Sequence, residues 1–190
     1  TQNTQRATTS ENQIFRESDI AGYPSFQNLK TATKLYVNLA EPELAEKVAS
    51  ENVDGVGLLR AEFVMAQIGI HPKKAIAEKK SENYSNLLFE GMKQFARAFY
   101  PRPVVYRASD FRTNEYRSLK GGEKFEPVEP NPMLGFRWAY RYTIDDRVFE
   151  LELSAIKRVR EKYDNFHLMI PFVRSVKELV EVKKIVYAAG

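Results

Sequence analysis

Cysteine is absent from these 190 residues. Disulfides, thiolate-ligated zinc or iron–sulfur centres, and a cysteine nucleophile or acid are therefore excluded from the chain. Histidine is scarce, with only His71 and His167, and Trp138 is the single tryptophan. No segment reaches the roughly eighteen consecutive apolar residues of a membrane span. The opening TQNTQRATTSENQ lacks the charged-then-apolar layout of a secretory signal, so a cytoplasmic protein without membrane attachment is expected. An excess of one charge sign is also missing: 29 basic and 25 acidic residues leave a net charge of +4. The signs alternate and no basic stripe is interleaved with aromatics, which argues against a nucleic-acid partner. Glycine-rich phosphate loops of the Walker or dinucleotide type are not found. What is present is a chain of single-domain length, 43% hydrophobic, enough for a packed core.

Residues 1–33 are rich in Thr, Gln, Asn and Ser, keep neither a helical nor a strand period, and read as a polar linker or tail. The folded domain is read as 34–190. KLYVNL, from Lys34, predicts a strand, followed by a short helix through Leu44, Ala45 and Val48. GVGLL at 55–59 predicts a second strand ending at Arg60, and the stretch from there to about Lys80 reads as an insertion. Tyr84, Leu87, Leu88, Met92, Phe95 and Phe99 recur at helical spacing, predicting a helix over 81–99. PVVYR predicts a third strand ending at Arg107, and a polar loop rich in Gly and Pro fills 109–135. Val148, Leu151, Ala155, Ile156 and Val159 mark another helix, and FHLMIPF at 166–172 a fourth strand. Ser175 and Glu178 form a capping-box pattern opening a last helix with Val176, Leu179, Val180 and Val186. Strands separated by helices mean βαβ units and an α/β fold with a parallel sheet, its strands apolar throughout because both faces are covered. Four such units fit an open doubly wound sheet and half of a closed barrel alike.

Two of these strands end in arginine. The C-terminal strand ends of a parallel sheet form its ligand-binding face, so Arg60 and Arg107 are candidates to clamp an anion through paired N–H bonds. Each could instead pair with a nearby carboxylate, Arg60 with Glu62 and Arg107 with Asp110. Arg137, in NPMLGFRW after a proline- and glycine-rich loop, is a third candidate. Asn131-Pro132 reads as a turn, and Trp138 and Tyr140 as packing residues. His71, ahead of Pro72, reads as a loop residue, and His167 as a core or edge strand residue.

The blocks GVGLLRAEFVM, IGIHPK at 69–74, PVVYRASDFRTNEYRSLKGGEKFEP at 103–127, NPMLGFRW at 131–138 and MIPFVRSVKEL at 169–179 resemble, in order and spacing, the C-terminal domain of the phosphoenolpyruvate synthase family. The resemblance runs from about Lys34 to Gly190. It implies about the first half of a (β/α)8 TIM-type barrel that binds pyruvate and phosphoenolpyruvate. It also implies an enzyme turning ATP, pyruvate and water into phosphoenolpyruvate, AMP and phosphate through a phosphohistidine. Motif matches onto GLLR, VYR and LGFR imply that Arg60, Arg107 and Arg137 bind substrate. The family pattern has glycine where Trp138 stands. It places the Mg-binding Glu and Asp and the proton-donating Cys beyond Gly190, and the phosphohistidine and ATP-binding domains ahead of residue 1. The chain alone is accordingly expected to be inactive. Its edge strands, near Lys34 and Phe166, are expected to drive self-association or pairing with a second half-barrel. A rival reading is a non-catalytic module, degenerate or encoded by a split gene, that binds a phosphate-bearing ligand or a partner chain.

Overall fold

A computed structural model describes residues 31–190. The tail assigned to residues 1–33 lies almost wholly outside the described residues. Four strands, β1 (Tyr36–Leu39), β2 (Gly55–Arg60), β3 (Val104–Arg107) and β4 (Phe166–Met169), pair in parallel and in chain order. Helices join them: α1 (Ala45–Ala49); α2 (Ala61–Ile68), α3 (Pro72–Ala77) and α4 (Ser81–Phe99); then α5 (Thr113–Ser118), α6 (Ala139–Ile144) and α7 (Arg147–Arg160). α8 (Val176–Ala189) follows β4. The class is thus α/β, built of (β/α) units, and the sheet is not closed.

Helices cover one face of the sheet. There Val56, Leu59, Val104, Tyr106 and Phe166 are fully buried, and α4 and α7 pack on each other through Leu88, Met92, Phe95, Phe149 and Val159. Burial of each such side chain is worth about 1.5–3 kcal/mol before entropy is counted. Gly91 of α4 lets α2 approach, because a Cβ there would lie 2.7 Å from Val64 Cγ1. Tyr36, Asn38, Val105, Arg107, His167 and Met169 point to the other face, which no described helix covers. The expectation of strands apolar throughout is therefore corrected: only the helix-covered side is uniformly apolar.

Further expectations are corrected. The stretch from Arg60 to Lys80 is not an insertion without structure but carries α2 and α3, and the loop 109–135 carries α5. Helices of six or eight residues complete about two turns, too few for a period to stand out in the sequence. His71 lies outside the helices and strands, as expected of a loop residue, at the N-cap of α3. It is buried, and its Nδ1 accepts the Lys73 N–H at 3.1 Å, capping α3 ahead of Pro72. The capping box at α8 is half formed: Ser175 Oγ accepts the Glu178 N–H at 3.2 Å, but the Glu178 carboxylate takes the Arg174 N–H instead. On the predicted helix faces Leu87, Val176 and Val180 are exposed. Among the described residues no helix is long and apolar enough to cross a membrane.

Candidate functional site

Arg60 and Arg107 are register partners at the C-terminal ends of adjacent strands, so the sheet itself sets them side by side. Their environments differ. The Arg60 side chain is exposed and makes no hydrogen bond or ion pair among the described residues. Arg107, partly buried, donates from Nη2 to Glu62 Oε1 at 3.0 Å, and its Nη1 lies 3.8 Å from Asp110 Oδ2. The alternative pairing of Arg60 with Glu62 is thus not formed. Glu62 reaches from the first turn of α2 to the neighbouring strand's arginine. The pairing of Arg107 with Asp110 exists only at that longer distance.

Arg137 joins the same group from the segment before α6. Its Nε and Nη2 donate to Asp110 Oδ1 at 3.1 and 3.0 Å, with a further bond from Nη2 to the Asp110 carbonyl. Asp110 thereby lies between Arg107 and Arg137. Burial pushes its carboxyl above the ordinary aspartate range although both guanidinium groups pull the other way. Three arginines against Glu62 and Asp110 leave one positive charge in excess when both acids are ionised. Arg107 Nε and Glu62 Oε2 are buried without a partner among the described residues, so donor and acceptor capacity remains in the group.

Trp138 stands where the resemblance noted in the sequence implies glycine. Its backbone, at φ 64° and ψ −156°, has the conformation that glycine favours. The indole stacks on Phe172, with centroids 4.2 Å apart, and the Arg137 and Arg174 guanidinium groups each lie 4.5 Å from its ring centre. Arg137 keeps its bonds to Asp110 with the bulky ring beside it.

Two buried acids, Glu152 and Glu126, and the partly buried Glu129, none singled out by the sequence reading, hold the loops. Glu152 of α7 accepts from the Tyr106 hydroxyl at 2.9 Å, the Ser109 N–H at 3.0 Å and the Ser109 hydroxyl at 2.5 Å. Complete burial raises its pKa to about 7 despite these donors. Glu126 accepts both Nη groups of Arg141 at 2.7 and 2.8 Å and lies 3.0 Å from His71 Nε2. Burial alone would raise its pKa, but the bonds from His71 and Arg141 outweigh it and hold it low. Since His71 Nδ1 accepts a backbone N–H, its ring proton sits on Nε2 and points at Glu126. Glu129 accepts from Thr113 Oγ1 at 2.7 Å and from the Phe136 N–H at 2.9 Å, and it lies against Gly135, where a Cβ would come within 2.1 Å of Oε2. A signal for Glu152 was in the sequence: it is four residues from both Val148 and Ile156, a charge on an apolar stripe. Glu126 and Glu129, in loops, had none.

The arrangement can bind an anion carrying phosphate or carboxylate. Among the described residues no group of three or more His, Cys, Asp or Glu could hold a metal ion. A family model described as "PEP-utilising enzyme, PEP-binding domain" matches residues 16–190. A probable phosphoenolpyruvate synthase of Staphylothermus marinus is 47% identical over 165 residues, covering 84% of this chain and 20% of the relative. One from Methanocaldococcus jannaschii is 47% identical over 161 residues, 84% of this chain and 14% of the relative. The phosphoenolpyruvate synthase of Pyrococcus furiosus is 45% identical over 172 residues, 90% of this chain and 20% of the relative. The chain thus spans a fifth or less of the length of these relatives.

Proposed function

We propose, from the premise that the chain belongs to the PEP-utilising enzyme family through its PEP-binding domain, that its uncovered strand ends form the pyruvate and phosphoenolpyruvate subsite of a phosphoenolpyruvate synthase. The overall reaction is ATP, pyruvate and water giving phosphoenolpyruvate, AMP and phosphate. The observation that carries this reading is the register pairing of Arg60 with Arg107 at the strand ends, with the Arg60 side chain exposed and Arg107 Nε unpaired among the described residues. Phosphoryl transfer to an enolate builds negative charge on the enolate oxygen and the transferring group, and fixed guanidinium groups stabilise that charge without reorganising. Arg60 and Arg107 take the phosphate and carboxylate, and Arg137 supports them from the Asp110 side.

The described residues supply charge and orientation. On this reading the Mg ligands, the phosphohistidine carrier and the ATP-binding domain of the reaction belong to other segments of the protein. A TIM-type barrel completed by further (β/α) units, or by a second half-barrel, would cover the open face. The reaction belongs in the cytoplasm, with ATP and pyruvate.

Calorimetric titration of phosphoenolpyruvate into the protein at its full natural length tests the reading. Loss of a charged, bidentate contact should weaken binding by about 1.5–3 kcal/mol for Arg107→Ala. Arg60→Lys should fail to restore what Arg60→Ala loses, because an ammonium group cannot reproduce the planar fork. Unchanged affinity in Arg107→Ala would overturn the assignment.

A further inference from the structure

We propose that Glu62 is a positioning residue of the anion site, one that fixes Arg107, and through Asp110 also Arg137, before a ligand arrives while occupying only one of the Arg107 nitrogens; the inference rests on the reading above. Glu62 uses one oxygen for two tasks. Oε1 accepts Arg107 Nη2 at 3.0 Å and the Asp110 backbone N–H at 2.6 Å, so a single atom orients a guanidinium group and pins the start of the loop after β3. Through that pinned residue the effect passes on, since the Asp110 carboxylate grips Arg137.

The manner of the grip separates Arg107 from an arginine used only to hold the fold. Arg141 is buried, with both Nη groups bonded to Glu126 and one also to the Phe136 carbonyl, so its fork is consumed internally. Arg107 is held by one Nη2 bond. Nε has no partner among the described residues in either arginine, so the difference lies at Nη1, which in Arg107 has only an oxygen at 3.8 Å. A carboxylate present merely to neutralise charge would serve as well beside Arg60, two residues away. Glu62 instead crosses to the next strand and leaves Arg60 without a partner among the described residues.

The test uses the protein at its full natural length, with three variants and two readouts. Phosphoenolpyruvate binding is measured by calorimetry. Arg107 exposure is measured by phenylglyoxal labelling mapped by mass spectrometry, with exposed Arg60 as internal reference. Glu62→Gln keeps an acceptor and removes a charge, so Arg107 should label at the wild-type rate and the anion should bind more tightly. Glu62→Ala removes the same charge and the grip, so Arg107 should label faster and binding should weaken by roughly tenfold or more. Glu62→Asp keeps the charge but falls a methylene short, and should follow alanine in direction; should Glu62→Ala not fold, this variant decides. Tighter binding in both Gln and Ala would reduce Glu62 to a competing charge and overturn the proposal, as would unchanged Arg107 labelling in Ala and Asp. A wild-type protein that does not bind phosphoenolpyruvate would overturn the proposed function, while the labelling rates would still decide whether Glu62 fixes Arg107.

Discussion

The Trp138 indole lies nearly parallel to the Phe172 ring, 14° between planes, and both residues have positive φ, 64° and 43°. Side chains with a Cβ rarely adopt such backbones, and at Trp138 the φ and ψ together fall where glycine is almost alone. The stack joins the segment carrying Arg137 to the one following β4, and a backbone bond from Ala139 N–H to the Pro171 carbonyl runs beside it.

Replacing Trp138 by alanine or by glycine removes the same ring and the same stacking. Only glycine also relieves the backbone. Trp138→Gly should therefore be more stable than Trp138→Ala by about 1–3 kcal/mol, reversing the usual cost of glycine. Denaturant unfolding of the two variants reads the difference directly, and an alanine variant at least as stable as glycine would show that the backbone at 138 carries no strain.

Gly135 and Glu129 should behave as a coupled pair. A methyl group at 135 would collide with both Glu129 oxygens and displace the carboxylate from Thr113 and the Phe136 N–H. Gly135→Ala should cost about 1–3 kcal/mol by leaving those donors unsatisfied, and should cost much less where Glu129 is already alanine. A double-mutant cycle in thermal unfolding checks this; additive losses would mean that the glycine serves some other constraint.

How much of this was legible beforehand follows from length and periodicity. The 19-residue α4 and the 14-residue α7 repeat their apolar faces over several turns, and strand ends with arginine are visible in GLLR and VYR. The short helices α2, α3, α5 and α6 present too few turns to register. The ties that orient the site were not legible for a different reason: Glu62 to Arg107 spans 45 positions and His71 to Glu126 spans 55, distances at which only the fold decides who meets whom. Trp138 shows the opposite case, since a residue that contradicts local preference was visible in the sequence and the fold kept glycine's backbone around it.

Glu152 should give the site's supporting loop a pH dependence. Its folded pKa, about 7, lies above the ordinary 4.5, so its contribution is fully present below about pH 4.5 and is lost as pH rises through 7. By linkage the local loss approaches roughly 3 kcal/mol once the pH is well above 7. Hydrogen exchange of residues 106–110, corrected for intrinsic rates, should show protection falling from pH 5 to pH 8 in the wild type. In Glu152→Gln, which mimics the protonated acid, protection should stay flat across that window. Equal slopes in the two proteins would assign the pH dependence to another group.

The last expectation concerns residues 31–190 as an isolated segment. β1 and β4 are the outer strands, and each has an edge whose N–H and C=O groups face no described strand. The uncovered face adds Tyr36 and Met169, and α8 presents Val176, Val180 and Tyr187 outward. Such edges and faces together favour strand addition and apolar contact over solvation. The isolated segment should therefore self-associate or pair with further (β/α) units, or else bind a hydrophobic dye as a loosened state. Sedimentation at tens of micromolar reads the first outcome and dye fluorescence the second. A compact monomer that unfolds cooperatively and binds no dye would mean that the helix-covered face alone suffices, because the packing of α4 and α7 on Tyr106 and Phe166 would then outweigh the exposed edges without help from the remainder of a barrel.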